Sequence, residues 1–143
     1  NLMEMSRLTV PVIAIITGEG NSGGALALGV ANRVLMMENS IYAILSPEGF
    51  ASILWKDAGR SAEACDMMKL TAPDLMRLGV IDDIIPEPEG GAHTAPVQAI
   101  RQVDRCLQRH LAALAKENGP ALAAARYQKF RKMGAAAPQK EEL

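Results

Sequence analysis

An apolar, largely β-branched run, Val10-Pro11-Val12-Ile13-Ala14-Ile15-Ile16-Thr17, passes directly into Gly18-Glu19-Gly20-Asn21-Ser22-Gly23-Gly24-Ala25. A run without polar alternation suits a strand covered on both faces, as in a parallel sheet, with Pro11 confined to its start. Gly23 to Asn32, rich in Ala and Leu, then reads as a short helix whose small side chains allow close packing on the sheet. The joint between them is a glycine turn. Glycines there permit positive φ and let a ligand approach the main chain without a Cβ in the way. The first amides of the helix have no intrahelical partner and sit at the positive end of its dipole, a position suited to an oxyanion.

Beyond this unit the sequence reads as alternating short elements. Arg33 to Glu38 and Ile41 to Leu45 are two extended runs separated by the turn-like Asn39-Ser40. Ser46-Pro47-Glu48 is a helix start, with Ser as cap, Pro at the first helical position and an acid in the first turn, so Gly49 to Lys56 follows as helix. Ser61 to Lys69 is a second helical stretch, Thr71 caps a third that ends near Gly79, and Val80 to Ile85 is a strand closed by Pro86 and Pro88. Thr94 caps a long helix, Ala95 to Glu117, in which Val97, Ile100, Val103, Leu107, Leu111 and Leu114 form one packing stripe. Gly119-Pro120 breaks it, and a last helix runs to about Met133. The expected organisation is one domain over 1–143: a core over 10–92, C-terminal helices over 94–133 and a flexible tail over 135–143, with no internal repeat. Leu2 to Leu8 reads as the end of a helix already under way, and the first residue is Asn rather than Met, which suits part of a longer protein.

Composition removes several classes of function. The 143 residues are 49% hydrophobic and 22% charged, which argues for a globular chain, and the net charge of -1 gives no basic excess for nucleic acid or an anionic membrane. The longest apolar run is far shorter than the roughly 20 residues of a membrane helix, and no signal-like segment precedes it, so a cytoplasmic location is expected. Cys65 and Cys106 lack CxxC spacing and read as free thiols in a reducing compartment.

Several motifs in order, Gly18 to Ala27, Ser46-Pro47-Glu48-Gly49, Ala51 to Lys56, and Ile84-Ile85-Pro86-Glu87-Pro88-Glu89-Gly90-Gly91-Ala92-His93, resemble the carboxyltransferase α subunit of multisubunit bacterial acetyl-CoA carboxylase. The resemblance extends to Arg126-Tyr127-Gln128-Lys129-Phe130, nearly the whole chain, and corresponds to the C-terminal half of such a subunit. Asn21 stands where that family usually has glycine. The resemblance implies an α/β fold of the ClpP/crotonase-like type, a spiral of strand-strand-helix turns followed by C-terminal helices. It also implies transfer of a carboxyl group from carboxybiotin, on a biotin carboxyl carrier protein, to acetyl-CoA, giving malonyl-CoA for fatty acid biosynthesis. The implied partners are a carboxyltransferase β subunit in an α2β2 heterotetramer, the carrier protein and biotin carboxylase. The backbone amides of Gly23 and Gly24 would form the oxyanion hole, with Gly20, Asn21, Ser22, Glu48 and Gly49 around the substrate, no metal, and most coenzyme A contacts on the β subunit.

Ser22 carries a rival reading, because its strand-turn-helix placement is also similar to the nucleophile of Clp-type serine peptidases, which share the superfamily. Those enzymes place a histidine near the end of the next extended segment, and Ile41-Tyr42-Ala43-Ile44-Leu45-Ser46 contains none. A truncated, non-catalytic assembly module is a third reading. His93 closes a glycine loop as a cap or surface group, and His110, without a metal-ligand companion, belongs on a helix surface. Glu19 is expected to bond the loop backbone. Asp82 and Asp83, adjacent on an extended segment, point to opposite faces and are structural. Arg126, Lys129, Arg131 and Lys132 form a solvated helix face with Tyr127 and Phe130 packed inward, the alternative being a carrier-protein or subunit contact. Met67, Met68 and Met76 fill the core.

Overall fold

The computed structural model describes residues 1–134; the tail expected over 135–143 lies outside the described residues. A short helix α1 (Leu2–Arg7) leads into β1 (Ile13–Ile16), β2 (Glu19–Asn21) and α2 (Ser22–Gly29), and then into β3 (Arg33–Met37), β4 (Ile41–Ala43) and α3 (Pro47–Trp55). A 3-10 turn (Ala58–Arg60), α4 (Ser61–Met68) and α5 (Ala72–Arg77) precede β5 (Asp83–Ile85), and two long helices, α6 (Pro96–Leu114) and α7 (Gly119–Lys132), complete the described chain.

The six elements between α1 and the 3-10 turn show the rule of the fold. Each strand-strand-helix turn gives its first strand to one parallel sheet, ordered β1-β3-β5, and its second to another, β2-β4. Ile15 is paired with Leu35 in the first sheet and Gly20 with Tyr42 in the second. Successive turns of a spiral are therefore stacked, a structural repeat that the sequence does not show because side chains differ at nearly every equivalent position. The central strand β3 is covered on both faces. Val34 and Met36 join Ile16, Ala31, Ala72, Leu75 and Ile81, whereas Leu35 and Met37 join Ile85, Ala99 and Cys106, as the two-residue period of a strand requires.

Several local readings change. The first strand is only Ile13–Ile16, since Val12 already gives its N–H to the Asn32 side chain (3.1 Å). Thr71 does not cap α5 through its side chain; the hydroxyl donates to Asp74 Oδ2 at 2.9 Å. Thr94 likewise spends its hydroxyl on the carbonyls of Glu89 and Gly91, which tightens the Gly90-Gly91 turn, and α6 begins uncapped after Ala95. Of the expected stripe on α6, Leu114 is buried and Val103 packs against the core beside Ala99 and Cys106, while Val97, Ile100 and Leu111 are exposed. Periodicity identifies a helix face but not which face meets the sheet. Met67 and Met76 are exposed and Met68 half-buried, so none of the three is a core filler.

The basic helix reverses the expectation most sharply. Arg126 is 1% exposed and Tyr127 is 62% exposed. The Arg126 guanidinium donates to the carbonyls of Met5, Ser6, Leu8 and Val10 and to Asn32 Oδ1 at 2.6 Å. Asn32 in turn donates to the Leu122 carbonyl (2.8 Å). This hub fastens the segment before β1 to α7. Lys129 is also turned inward, paired with Asp82, and burial pulls its pKa down against the pull of that carboxylate.

Candidate functional site

The site is built on the joint between β2 and α2. Pairing of Glu19–Asn21 with Ile41–Ala43 turns the expected glycine loop into a short strand. The reversal into the helix is concentrated in one residue. Ser22 has φ +62, a left-handed conformation that a non-glycine residue adopts at a cost, whereas Gly18, Gly20, Gly23 and Gly24 are not among the residues at positive φ. The glycines are thus not needed for their φ range, and their other property, the missing side chain, is what matters.

Those missing side chains serve two different ends. A Cβ on Gly20 would come within 3.1 Å of Ile16 and 3.2 Å of the Tyr42 ring, so Gly20 is a packing glycine. A Cβ on Gly23 or Gly24 would meet nothing within 4 Å, and both residues are exposed. Nothing in the described residues demands glycine there. The amides at the start of α2 also lack a side-chain cap, since Asn21 occupies the cap position without a capping bond, and no acidic residue lies in the first turn. The positive end of the helix is therefore unneutralised and open.

Two cavities flank the joint. One, about 470 Å³, is lined by Ser22, Gly23, Leu26, Tyr42, Ala43 and Ile44, with Leu75 and Val80 behind, and is mostly apolar. The other, about 560 Å³, runs along β1 past Gly20, Asn21, Ala25 and Leu28. Tyr42 stands at the first of these, its hydroxyl donating to the Ala25 carbonyl at 3.4 Å, and burial pushes its phenol above the ordinary value so that it remains a neutral donor. Sequence reasoning passed over Tyr42, although glycines flanking a strand-helix joint were a signal that something bulky occupies their space.

The remaining candidates separate from this centre. Glu48 is exposed in the first turn of α3, and the Gly49 N–H is occupied by Ser46 Oγ at 3.2 Å; neither residue lines the Ser22 cavity. Glu19 is exposed, and no hydrogen bond from its carboxylate to the loop is formed among the described residues. His110 is not a surface residue: its side chain is largely covered and Nε2 lies 2.8 Å from Asp83 Oδ2. His93 is exposed beside Gly91, in a loop that Glu87 braces by accepting from the Asn39 and Ala92 N–H groups. Neither histidine lines the cavity at Ser22. Asp82 and Asp83 do face apart, the first accepting from Val34 N–H and Lys129, the second from Arg109 and His110. Cys65 and Cys106 are both free. Among the described residues no group of three or more His, Cys, Asp or Glu is placed to hold a metal ion, and no helix is long and apolar enough to cross a membrane.

Stacked strand-strand-helix turns with an open helix N-terminus at the joint define the crotonase-like class. Solved structures agree: transcarboxylase 12S aligns with a TM-score of 0.63 at 21% identity, covering 82% of this chain and 22% of that one. One chain of a Pseudomonas malonate decarboxylase hetero-tetramer aligns at 0.61 and 23% identity, covering 81% and 45%. Residues 1–134 match the family described as acetyl co-enzyme A carboxylase carboxyltransferase-like, and the chain belongs to that family. It is 53% identical to the acetyl-coenzyme A carboxylase carboxyl transferase subunit alpha of Prochlorococcus marinus NATL1A, over 94% of this chain and 41% of the relative. With the same subunit of Geobacillus kaustophilus HTA426 the identity is 54% over the same shares. The chain thus spans about two-fifths of the length of these relatives.

Proposed function

We propose that this chain is the portion of a carboxyltransferase α subunit that carries its oxyanion hole. Together with the rest of that subunit and a β subunit it would transfer the carboxyl group of carboxybiotin, presented on a carrier protein, to acetyl-CoA. The product is malonyl-CoA, the commitment to fatty acid synthesis, and the assembly is an α2β2 carboxyltransferase in the cytoplasm served by biotin carboxylase. The observation that carries the reading is the open start of α2, where the Gly23 and Gly24 amides are uncapped, exposed and free of any packing reason to be glycine.

Removing a proton from the acetyl thioester makes an enolate, and the negative oxygen must be met by donors already in place. Backbone N–H groups at a helix start do this without reorganisation, each worth about 2.7–4 kcal/mol of barrier. The cavity beside Ser22 is apolar but open, and a partner chain covering it would take water away from those donors and strengthen them. Leu26, Leu28, Ile44, Ile53 and Leu54 are large and exposed, as expected of surfaces that the remainder of the subunit and a partner chain cover. What disfavours a serine peptidase is the missing base: Ser22 has the strained backbone of a nucleophile, but no histidine lines its cavity.

Gly23→Ala and Gly24→Ala test this directly in the full-length subunit combined with its β subunit. Because the added methyl meets nothing in this chain, stability should hold or rise by up to about 1 kcal/mol. Malonyl-CoA decarboxylation in the presence of biotin should fall about a hundredfold or more. Full activity in both variants would refute the oxyanion-hole assignment. Labelling of Ser22 by a serine-reactive phosphonate would favour the peptidase instead.

A further inference from the structure

The helix that presents these amides has almost nothing of its own to hold it. In α2 only Gly29 is buried, and Leu26 and Leu28 are exposed. Something else must fix where its first turn stands. Tyr42 is in register with Gly20 across the β2-β4 pair, and its ring lies against the place a Gly20 side chain would fill. At the other end, a Cβ on Gly29 would be 2.4 Å from the Tyr42 hydroxyl but 3.5 Å from Cζ, so that the hydroxyl alone requires glycine at 29. The same hydroxyl donates to the carbonyl of Ala25, the residue immediately after Gly24. The base of the wedge is rigid, since Tyr42 N–H donates to the Leu70 carbonyl (3.1 Å) and Ile41 bridges Thr71.

We infer that Tyr42 is a positioning residue: its ring and hydroxyl, wedged between Gly20 and Gly29, set the first turn of α2 so that the Gly23 and Gly24 amides point where the oxyanion forms. This rests on the oxyanion-hole reading above, and it adds a residue that acts through its contacts with α2.

The steric relation supplies its own rescue test in the full-length subunit with its β subunit. Gly29→Ala forces the Tyr42 hydroxyl and α2 apart, and should lower kcat for malonyl-CoA decarboxylation about tenfold or more with KM unchanged, because the lost interaction exists only in the transition state. Tyr42→Phe removes only the bond to Ala25 and should cost a few-fold. In the double variant the new methyl faces Cζ at ordinary contact distance, so kcat should return to the Tyr42→Phe value, and hydrogen exchange of residues 22–29, accelerated in Gly29→Ala, should slow again. Losses that multiply in the double variant, or a loss borne by KM alone, would overturn the assignment. A wild-type complex no faster than the β subunit alone would sink the oxyanion-hole reading instead, and the exchange measurements would still decide whether Tyr42 seats α2.

Discussion

The helices α2 and α3 close successive turns of the same spiral and leave their strands at equivalent joints, yet their first residues are treated in opposite ways. At α3, Ser46 accepts from the Gly49 N–H, Pro47 occupies a position whose N–H would be unused, and Glu48 answers the helix dipole. At α2 the cap residue Asn21 makes no such bond, Ser22 is held at φ +62, and two glycines present bare amides. Their supports differ as well. The turn ending in α3 contains β3, buried at four of its five residues, whereas β1 is buried at one of four. One joint is sealed by local chemistry and by the core; the other is left open and must be held from outside. A repeated fold thus carries one sealed and one open joint on the same order of strands and helix.

The largest effect should come from removing that outside support. Arg126→Met leaves Asn32 Oδ1 and four backbone carbonyls before β1 without their donor, and breaking a buried charged network of this kind costs about 3–5 kcal/mol. Denaturant unfolding should show that loss, and exchange of the Val12 amide should rise, because its acceptor Asn32 is no longer held. A change below about 1 kcal/mol would mean that the open turn is anchored elsewhere.

Ser46→Ala breaks the comparison from the other side, by opening the sealed joint. The expected cost is about 1 kcal/mol, with no change in kcat or KM, since the Gly49 amide it releases does not line the cavity at Ser22. Thermal melts and steady-state kinetics on the assembled enzyme check both halves. Altered kinetics with retained stability would assign α3 a direct part in the site.

This contrast also explains what was legible in the sequence. The start of α3 was readable because the interacting groups lie within three residues of each other, whereas the equally local Asn118 cap of α7 was passed over beside the Gly119-Pro120 break. The strand-to-helix joint at Gly18 to Ala25 was readable from composition, an apolar run meeting clustered glycines, although its short strand β2 depends on pairing with residues 41–43. Arg126 was not, because its acceptors are main-chain carbonyls of residues 5 to 10, and a carbonyl carries no residue signature. The seal on Thr94 was misread because two local motifs compete for one hydroxyl, and the Gly90-Gly91 turn takes it. Tyr42 went unnoticed since its meaning depends on a cross-strand register with Gly20 and a separate contact at Gly29, neither of which exists before the spiral closes.

The smallest effect lies in acid, and it separates the two halves of the molecule. Burial alone would raise the pKa of Asp83, but the His110 ring, the Arg109 guanidinium and the Ile84 N–H together outweigh it and hold the carboxyl below its ordinary value. A carboxyl whose folded pKa is depressed stabilises the fold fully above its unfolded pKa of about 4, and that contribution is lost as pH falls through the lower folded value. Since Arg109 and part of Asp83 are exposed, the contribution is discounted for solvent screening to under about 1 kcal/mol. Glu87 is shifted in the same direction, chiefly by the Asn39 N–H, so Asp83→Asn is needed to isolate the α6–β5 clamp. Hydrogen exchange followed from pH 6 to pH 3 at matched intrinsic rates should show α6 loosening on the acid side in the native chain and much less change in the Asp83→Asn variant. Among the described residues, 22–29 share no hydrogen bond or ion pair with this clamp and should keep their protection in both. If α2 loosened together with α6, the open joint would depend on the same carboxylate as the α6–β5 clamp, and their separation would be lost.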